Sequence, residues 1–219
     1  MVGTKRVYAA MPTYKQKKRK ATSLKTEVFR LKKQLQSQRN VGFVDNNLSP
    51  VAIENGGGDI DAINLVAEGT NDDERLGNKM TMTSLRYRCH AVPGTSQTIW
   101  QRAQIYFVYD KQPNGALPTA TDVLEDDSSF TFPNWANKER FQILRQHSFL
   151  VAPAGEGGPP NDVIEGYVKL NHVTNHDAVT AAITSITTGS LFTLVVGNGT
   201  SGTNANPGIN VNTRVTFSQ

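Results

Sequence analysis

The chain has 219 residues, a length that fits one large β domain or two small ones, and its formal net charge is only +4. Its single cysteine, Cys89, excludes an intramolecular disulfide framework and a cysteine-based zinc site. No apolar run approaches the roughly 18 residues of a membrane span, and the N-terminus lacks the apolar core of a secretory signal. A cytosolic or nuclear protein without a membrane partner is therefore expected.

The small net charge conceals a strong asymmetry along the chain. Residues 1–40 carry twelve Lys/Arg and one acid, a net charge of +11, whereas residues 41–219 carry 11 Lys/Arg and 18 acids, a net charge of −7. Concentrated, unpaired cations attract polyanions, so these twelve side chains are the predicted nucleic-acid-binding residues. They are Lys5, Arg6, Lys15, Lys17, Lys18, Arg19, Lys20, Lys25, Arg30, Lys32, Lys33 and Arg39.

Residues 1–23 show no apolar periodicity, and repulsion among their cations predicts a disordered arm. Residues 15–20 hold five cations in six positions. This run has three interpretations: it binds phosphates, it is a nuclear-import signal, or it is a solvated tail. The first two are compatible, because both need accessible cations. The candidate import signal consists of Lys17, Lys18, Arg19 and Lys20.

Residues 24–39 predict a short amphipathic helix. Leu24, Val28, Leu31 and Leu35 recur at i, i+4, i+7 and i+11, which places them on one helical stripe. A helix this short is marginal alone, so it is expected to order on a partner, which is another copy, the body of the chain or nucleic acid.

After residue 40, segments rich in Val, Ile, Tyr, Phe and Thr alternate with Gly/Pro/Asn/Asp clusters, which is typical of strands. The pattern predicts eight strands: 48–54, 59–67, 78–92, 98–110, 138–152, 163–173, 189–197 and 209–217. Four long polar loops, expected to include the exterior surface, join them: 111–137, 153–162, 174–188 and 198–208. Residues 119–126 within the first loop predict a short helix. We therefore predict an all-β fold, a sandwich or a jelly roll.

Two strands carry more detailed expectations. In 209–217, Val211, Thr213, Val215 and Phe217 should face one side, and Asn212, Arg214, Thr216 and Ser218 the other. Residues 99–110 are apolar on both faces, as in a central strand.

The sequence offers no catalytic constellation. A G-x-S-x-G nucleophile motif and a phosphate-binding G-x-x-x-x-G-K-[ST] loop are both missing. His172 and His176 have i,i+4 spacing, but they fall at a predicted strand end, where this spacing does not suit a metal. Acidic clusters occur at 59/61, 72–74 and 125–127. We interpret them as solvated turns, with structural Ca²⁺ at a subunit contact as the alternative, and assign no catalytic or metal-binding residue.

Three motifs in chain order carry a family resemblance. In residues 69–92, Arg75, Gly77 and Lys79 stand in an R-x-G-x-(basic) turn before a long strand. Residues 102–126 combine an aromatic strand, Asp110 at its end, a Pro/Asn/Gly turn and a T-x-x-(D/E)-(V/I)-L helix. Residues 137–145 contain an Arg-Phe-x-(I/V)-Leu strand. Behind a basic arm, this order resembles the capsid proteins of circular Rep-encoding single-stranded DNA (CRESS-DNA) viruses, related to satellite tobacco necrosis virus coat proteins.

The resemblance implies a single eight-stranded viral jelly roll at 41–219, a self-assembling shell domain, behind a genome-facing arm and helix at 1–40. It implies a T=1 shell of roughly sixty copies that packages single-stranded DNA. The expected partners are other copies of the chain, the genome and host nuclear-import machinery, and the expected locations are the virion and the host nucleus. The alternatives are a satellite-type RNA virus coat, a non-assembling single-stranded nucleic-acid-binding module, and an enzyme on a cupin-like scaffold.

Overall fold

The computed structural model describes residues 24–37, 41–53, 58–153, 155, 163–198 and 206–219. The chain divides into two units, Met1–Arg39 and Asn40–Gln219. In the first unit, helix α1 spans Leu24–Ser37, which confirms the predicted helix and ends it two residues earlier. The predicted disordered arm, residues 1–23, lies outside the described residues.

The second unit contains nine strands among its described residues. They are β1 (Val41–Ala52), β2 (Asp59–Ala62), β3 (Lys79–Val92), β4 (Gln101–Asp110), β5 (Phe141–Val151), β6 (Ile164–His176), β7 (Ile186–Thr188), β8 (Ser190–Gly197) and β9 (Gly208–Ser218). The short helix predicted within 119–126 is confirmed as α2 (Ala120–Val123). Single turns of 3₁₀ helix occupy Trp135–Asn137 and Ile183–Ser185. No helix in the described ranges is long and apolar enough to cross a membrane.

The strands form two antiparallel sheets. The five-stranded sheet has the order β1-β9-β3-β6-β7, and the four-stranded sheet has the order β2-β8-β4-β5. The first strand therefore pairs with the last, and the second with the last but one, so each sheet joins distant parts of the chain. This connectivity is that of a double-sheet jelly roll, and the predicted fold class is confirmed.

The main core fills the space between the two sheets. On β9, Val211, Val215 and Phe217 are fully buried, as the alternation predicts. A second apolar cluster lies on the outward side of the four-stranded sheet, where α2 and its flanking chain cover Tyr106 and Val108 of β4. This cover explains why β4 is apolar on both faces, and the predicted central position of that strand, between β8 and β5, is confirmed.

Several predicted strand boundaries differ from the structure, and the predicted strand 59–67 ends at Ala62 as β2. β7 is a ninth strand inside the predicted loop 174–188, and its three residues are too few to show periodicity. β1 begins at Val41, seven residues before the predicted start at 48. The polar residues Asp45, Asn46 and Asn47 interrupt its apolar positions, so the local composition does not suggest a strand, but its pairing with β9 begins at Val41↔Ser218.

Candidate nucleic-acid interface

Four of the predicted nucleic-acid-binding residues lie on α1: Lys25, Arg30, Lys32 and Lys33. Lys25 and Arg30 are exposed, and Val28 and Leu31 of the apolar stripe are 44% and 53% exposed. The other eight lie outside the described residues, including the whole nuclear-import candidate: Lys5, Arg6, Lys15, Lys17, Lys18, Arg19, Lys20 and Arg39.

The described body offers a second cationic surface, on the outward side of the five-stranded sheet. We call it the arginine face and define it by Arg86, Arg88, Arg214, Tyr167 and Phe43. Its three arginines and Tyr167 line an open cavity of about 780 Å³. Strand alternation builds it, because the side chains between these positions turn inward to the core.

The strand register sets the neighbours on the arginine face. Arg86 of β3 lies opposite Tyr167 of β6 on one side and Arg214 of β9 on the other. The Arg86 guanidinium lies 5.8 Å from the Tyr167 ring centroid, and that of Arg214 lies 4.6 Å from the Phe43 ring centroid. Tyr167 is 54% exposed and Phe43 37%, so each ring has a cation beside it and a side open to solvent.

Two of the three arginines are paired with acids. Arg214 donates two hydrogen bonds to Asp45, at 2.7 and 2.6 Å, and Arg88 Nε lies 3.0 Å from Glu165 Oε1. The hydrogen bonds from Arg214 lower the pKa of Asp45, so this carboxylate stays charged at neutral pH. Arg86 has no salt bridge to another described residue, which leaves its charge available to a ligand.

The charge balance of the outward side of this sheet is opposite to that of the body. Residues 41–219 carry 18 acids and 11 Lys/Arg. The outward positions of β1, β3, β6 and β9 carry five Lys/Arg and two acids: Lys79, Arg86, Arg88, Lys169, Arg214, Asp45 and Glu165. Exposed rings on which bases can stack, together with cations for phosphates, suit single-stranded nucleic acid.

Sequence analysis did not predict the arginine face. One signal was present, since the alternation in 209–217 placed Asn212 and Arg214 on one side. The partners of β9 come from β1 and β3, and no local pattern shows that these segments are neighbours.

The first motif of the resemblance forms a structural anchor. Arg75 is fully buried and donates to the carbonyl oxygens of Val66, at 3.1 Å, Gly77, at 2.6 Å, and Ala178. It thereby ties the β2–β3 connection to the chain after β6. Lys79, in contrast, is exposed at the start of β3.

The second and third motifs meet in one ion pair. Asp110, at the end of β4 and fully buried, accepts hydrogen bonds from Arg140 Nε at 2.9 Å and Nη2 at 2.8 Å. Asp110 also accepts from the backbone N–H of Gln112 at 2.9 Å. The pair closes both ends of the long loop 111–140, so both motifs serve the fold.

The histidines and acidic clusters form no metal site in the described part of the chain. His172 stacks on Tyr109, with ring centroids 4.1 Å apart. His176 is buried, and its ring nitrogens have no hydrogen-bond partner among the described residues. Burial and the nearby Asp59 carboxylate raise the pKa of Asp61.

A jelly roll of this strand order, with a cation-rich sheet face and a strongly basic N-terminal segment, defines the class of the protein as a viral coat protein. The chain belongs to the satellite tobacco necrosis virus coat protein family, whose model matches residues 12–214. The predicted resemblance to viral coat proteins is confirmed.

Individual proteins similar to this chain include one capsid protein and one solved viral chain. The capsid protein of Miscanthus streak virus (isolate 91) is 28% identical over 105 residues, which are 47% of this chain and 39% of the relative. The match therefore spans less than half of that protein. A solved chain from Desmodium yellow mottle tymovirus is 12% identical, with a TM-score of 0.37, over 82% of this chain and 86% of that chain.

Proposed function

We propose that the chain assembles into a small icosahedral shell, a T=1 shell of roughly sixty copies, and packages a single-stranded DNA genome through its basic N-terminal arm. The segregation of charge carries this proposal, with +11 in residues 1–40 and −7 in residues 41–219. Cations concentrated on one segment neutralise phosphates, whereas a net negative body resists non-specific adhesion to nucleic acid.

The arginine face supports a second genome contact on the body itself. Bases would stack on Tyr167 and Phe43, and Arg86 would pair with a phosphate. In this arrangement the five-stranded sheet faces the interior of the shell. The four-stranded sheet, covered by the loop 111–140, then faces outward.

Phosphate contacts do not distinguish DNA from RNA, so a satellite-type RNA coat is the alternative genome assignment. The run Lys17-Lys18-Arg19-Lys20 favours DNA, because a nuclear-import signal suits a genome replicated in the nucleus. A reporter fused to residues 1–39 tests this assignment. Nuclear accumulation that is lost when these four residues become alanine supports DNA, and a cytoplasmic reporter favours RNA.

The proposed role is structural, with no catalytic step. Structural Ca²⁺ at a subunit contact is the alternative to the solvated-turn interpretation of the acidic clusters, because carboxylates from two clusters could meet between copies. Assembly in the presence and absence of a calcium chelator tests this point.

The direct experiment compares the full chain with a variant lacking residues 1–39. Both proteins are purified at moderate salt, imaged by electron microscopy, and assayed by absorbance at 260 and 280 nm after nuclease treatment. We expect full-length particles to protect nucleic acid, and truncated protein to lose most of this protection because eleven net charges are absent. Equal protection by both would exclude the arm as the packaging element. A small species that never assembles would favour the binding-module alternative.

A matched pair of variants tests the arginine face. Arg86→Ser with Tyr167→Ser removes the unpaired cation and an exposed ring, whereas Lys111→Ser removes one cation elsewhere. We expect the first variant to protect less nucleic acid per particle than Lys111→Ser. Equal protection would remove this face from the genome-binding surface.

A further inference from the structure

The turn Trp135–Asn137 presents a large aromatic side chain to solvent. Trp135 is 73% exposed, and Lys138 Nζ lies 3.6 Å from its ring centroid. Lys138 is itself exposed and has no salt bridge to another described residue. Tryptophan is among the side chains that most often dominate the binding energy at protein interfaces, and the cation beside this ring adds a charge that a partner can recognise.

This turn is held rigidly. The Asn134 side chain accepts from Ala136 N at 3.0 Å and donates to Thr121 O at 2.9 Å. The Asn137 side chain donates to Asp122 O at 2.8 Å, and Asp110 binds Arg140 just beyond. Docking the indole therefore orders little additional backbone, which favours binding.

A groove of complementary character lies at the edge of the five-stranded sheet. It has a volume of about 190 Å³, enough for one large side chain. Val41 and Leu76, exposed by 63% and 51%, lie at its edge, whereas most of the lining is polar and includes the carboxylates of Asp72 and Glu74. Glu74 is engaged by the backbone N–H of Asn71 at 2.9 Å, whereas the Asp72 carboxylate has no salt bridge among the described residues.

Hydrogen bonds also hold the backbone around the groove in place. Phe43 N donates to Asp72 O at 2.9 Å, and Gln219 Nε2 donates to Glu74 O at 2.9 Å. The buried Arg75 anchors the chain beside them. An aromatic ring with a cation on one surface therefore matches an acidic groove, edged by two exposed aliphatic side chains, on another surface of the same chain.

We infer that the Trp135–Lys138 turn of one copy docks into the groove formed by Val41, Asp72, Glu74 and Leu76 of a second copy. The indole covers Val41 and Leu76 at the edge of the groove, and Lys138 pairs with Asp72. Because the two surfaces differ, the contact is head-to-tail, and repetition with the right rotation closes a ring, as a shell requires. The inference rests on self-assembly and is independent of the genome type.

Charge reversal tests the contact. Lys138→Glu and Asp72→Lys each place like charges together, and we expect each to reduce the yield of particles at least 10-fold. The double variant Lys138→Glu/Asp72→Lys restores an opposite-charge pair, so we expect it to recover most of the yield. Arg145→Glu, an equal charge change on β5, is the matched control and should assemble normally. Thermal unfolding of each unassembled variant verifies folding.

A tryptophan reporter provides an independent readout. Trp100→Phe leaves Trp135 as the single tryptophan, and its emission should shift to shorter wavelength on assembly because the indole leaves water. Normal assembly of both charge variants, or failure of the double variant to recover, would overturn the contact. An unchanged emission maximum would overturn it as well. If a chelator alone reproduces the loss of Asp72→Lys, the carboxylates bind Ca²⁺ and the contact is overturned. Loss of nucleic acid without loss of particles would affect only the packaging proposal.

Discussion

The outward sides of the two sheets differ, because one is exposed to solvent and the other is covered by a loop. No described segment covers the outward side of the five-stranded sheet, and most of its outward residues are polar or charged, with Arg86, Arg88 and Arg214 at its centre. The four-stranded sheet is covered, because the loop 111–140 folds over it and Leu124 is buried in one apolar cluster with Tyr106 and Phe192. The solubility of an uncovered sheet depends on polar side chains that alternate with buried apolar ones. A covered sheet depends instead on the contacts that hold its covering loop in place.

Because of this difference, we expect substitutions on the uncovered side to affect ligand binding and substitutions on the covered side to affect the free energy of unfolding. Side chains on the bare face are free to contact a ligand, and most contribute little to the free energy of unfolding. On the covered side, the same kinds of group are buried and their loss is costly. Two arginine–aspartate pairs, one on each side, show the contrast directly.

The largest expected effect comes from Asp110→Ala. It leaves Arg140 without its buried partner and releases both ends of the covering loop, so we expect a loss of about 3–5 kcal/mol of unfolding free energy. Asp45→Ala breaks the matching pair with Arg214, whose side chains are about half exposed, and should cost at most about 1 kcal/mol. Urea unfolding of the unassembled proteins measures both values. Equal losses would contradict the distinction between the two sides.

The next effect concerns the apolar cover itself. Leu124 is fully buried, and Leu124→Ala should cost about 2–3 kcal/mol, the lower part of the usual range, because a loop can settle into the space. Tyr167→Ala on the bare face removes a side chain of similar apolar area but should cost less than about 1 kcal/mol. Chemical unfolding distinguishes them, and a costly Tyr167→Ala would show that the bare face contributes to stability.

The sequence predicted the fold well where a pattern is local. The alternation of β9, the two-sided apolarity of β4 and the short α2 helix all follow from neighbouring residues. β7 and the first half of β1 could not be predicted, because their strand character comes from pairing with distant segments.

The site was less predictable for the same reason. Charge counting alone identified the arm as a candidate interface, and the contacts of its residues 1–23 remain a prediction. The arginine face needs Arg86, Arg214 and Tyr167 from three strands whose adjacency only the fold creates. The roles of Arg75 and Asp110 were visible as motifs, but their burial was not.

The next prediction concerns a buried titratable group, His176, whose effect on the free energy of unfolding depends on pH. Burial, together with the nearby Arg75 charge, lowers the pKa of His176 to about 4, and Asp177 only partly opposes this. As pH falls from about 6.5, the unfolded chain takes up this proton first, so stability declines until about pH 4, by up to about 3 kcal/mol.

His176→Met isolates this contribution, because the ring nitrogens have no hydrogen-bond partner among the described residues. The variant should match the parent at pH 7 and exceed it in unfolding free energy near pH 4. Burial also lowers the pKa values of His147 and His172, but these residues are present in both proteins and cancel. If the unfolding free energies of the variant and the parent change in parallel with pH, His176 is not the group responsible for the decline.

The smallest expected loss of stability concerns the five-stranded sheet, whose inner side packs against the core. A Cβ added at Gly166 would overlap the Tyr87 ring, which stacks on Phe107 at 4.3 Å and whose hydroxyl lies 2.7 Å from His147 Nε2. Because this ring is held on two sides, Gly166→Ala should cost about 1–3 kcal/mol despite the better strand propensity of alanine. Gly77→Ala, where the added Cβ would meet no atom within 4 Å, is the matched control and should change stability by less than about 0.5 kcal/mol. If Gly166→Ala also changes the free energy of unfolding by less than about 0.5 kcal/mol, the Tyr87 ring can move. The core beneath the five-stranded sheet would then be less tightly packed than its contacts indicate.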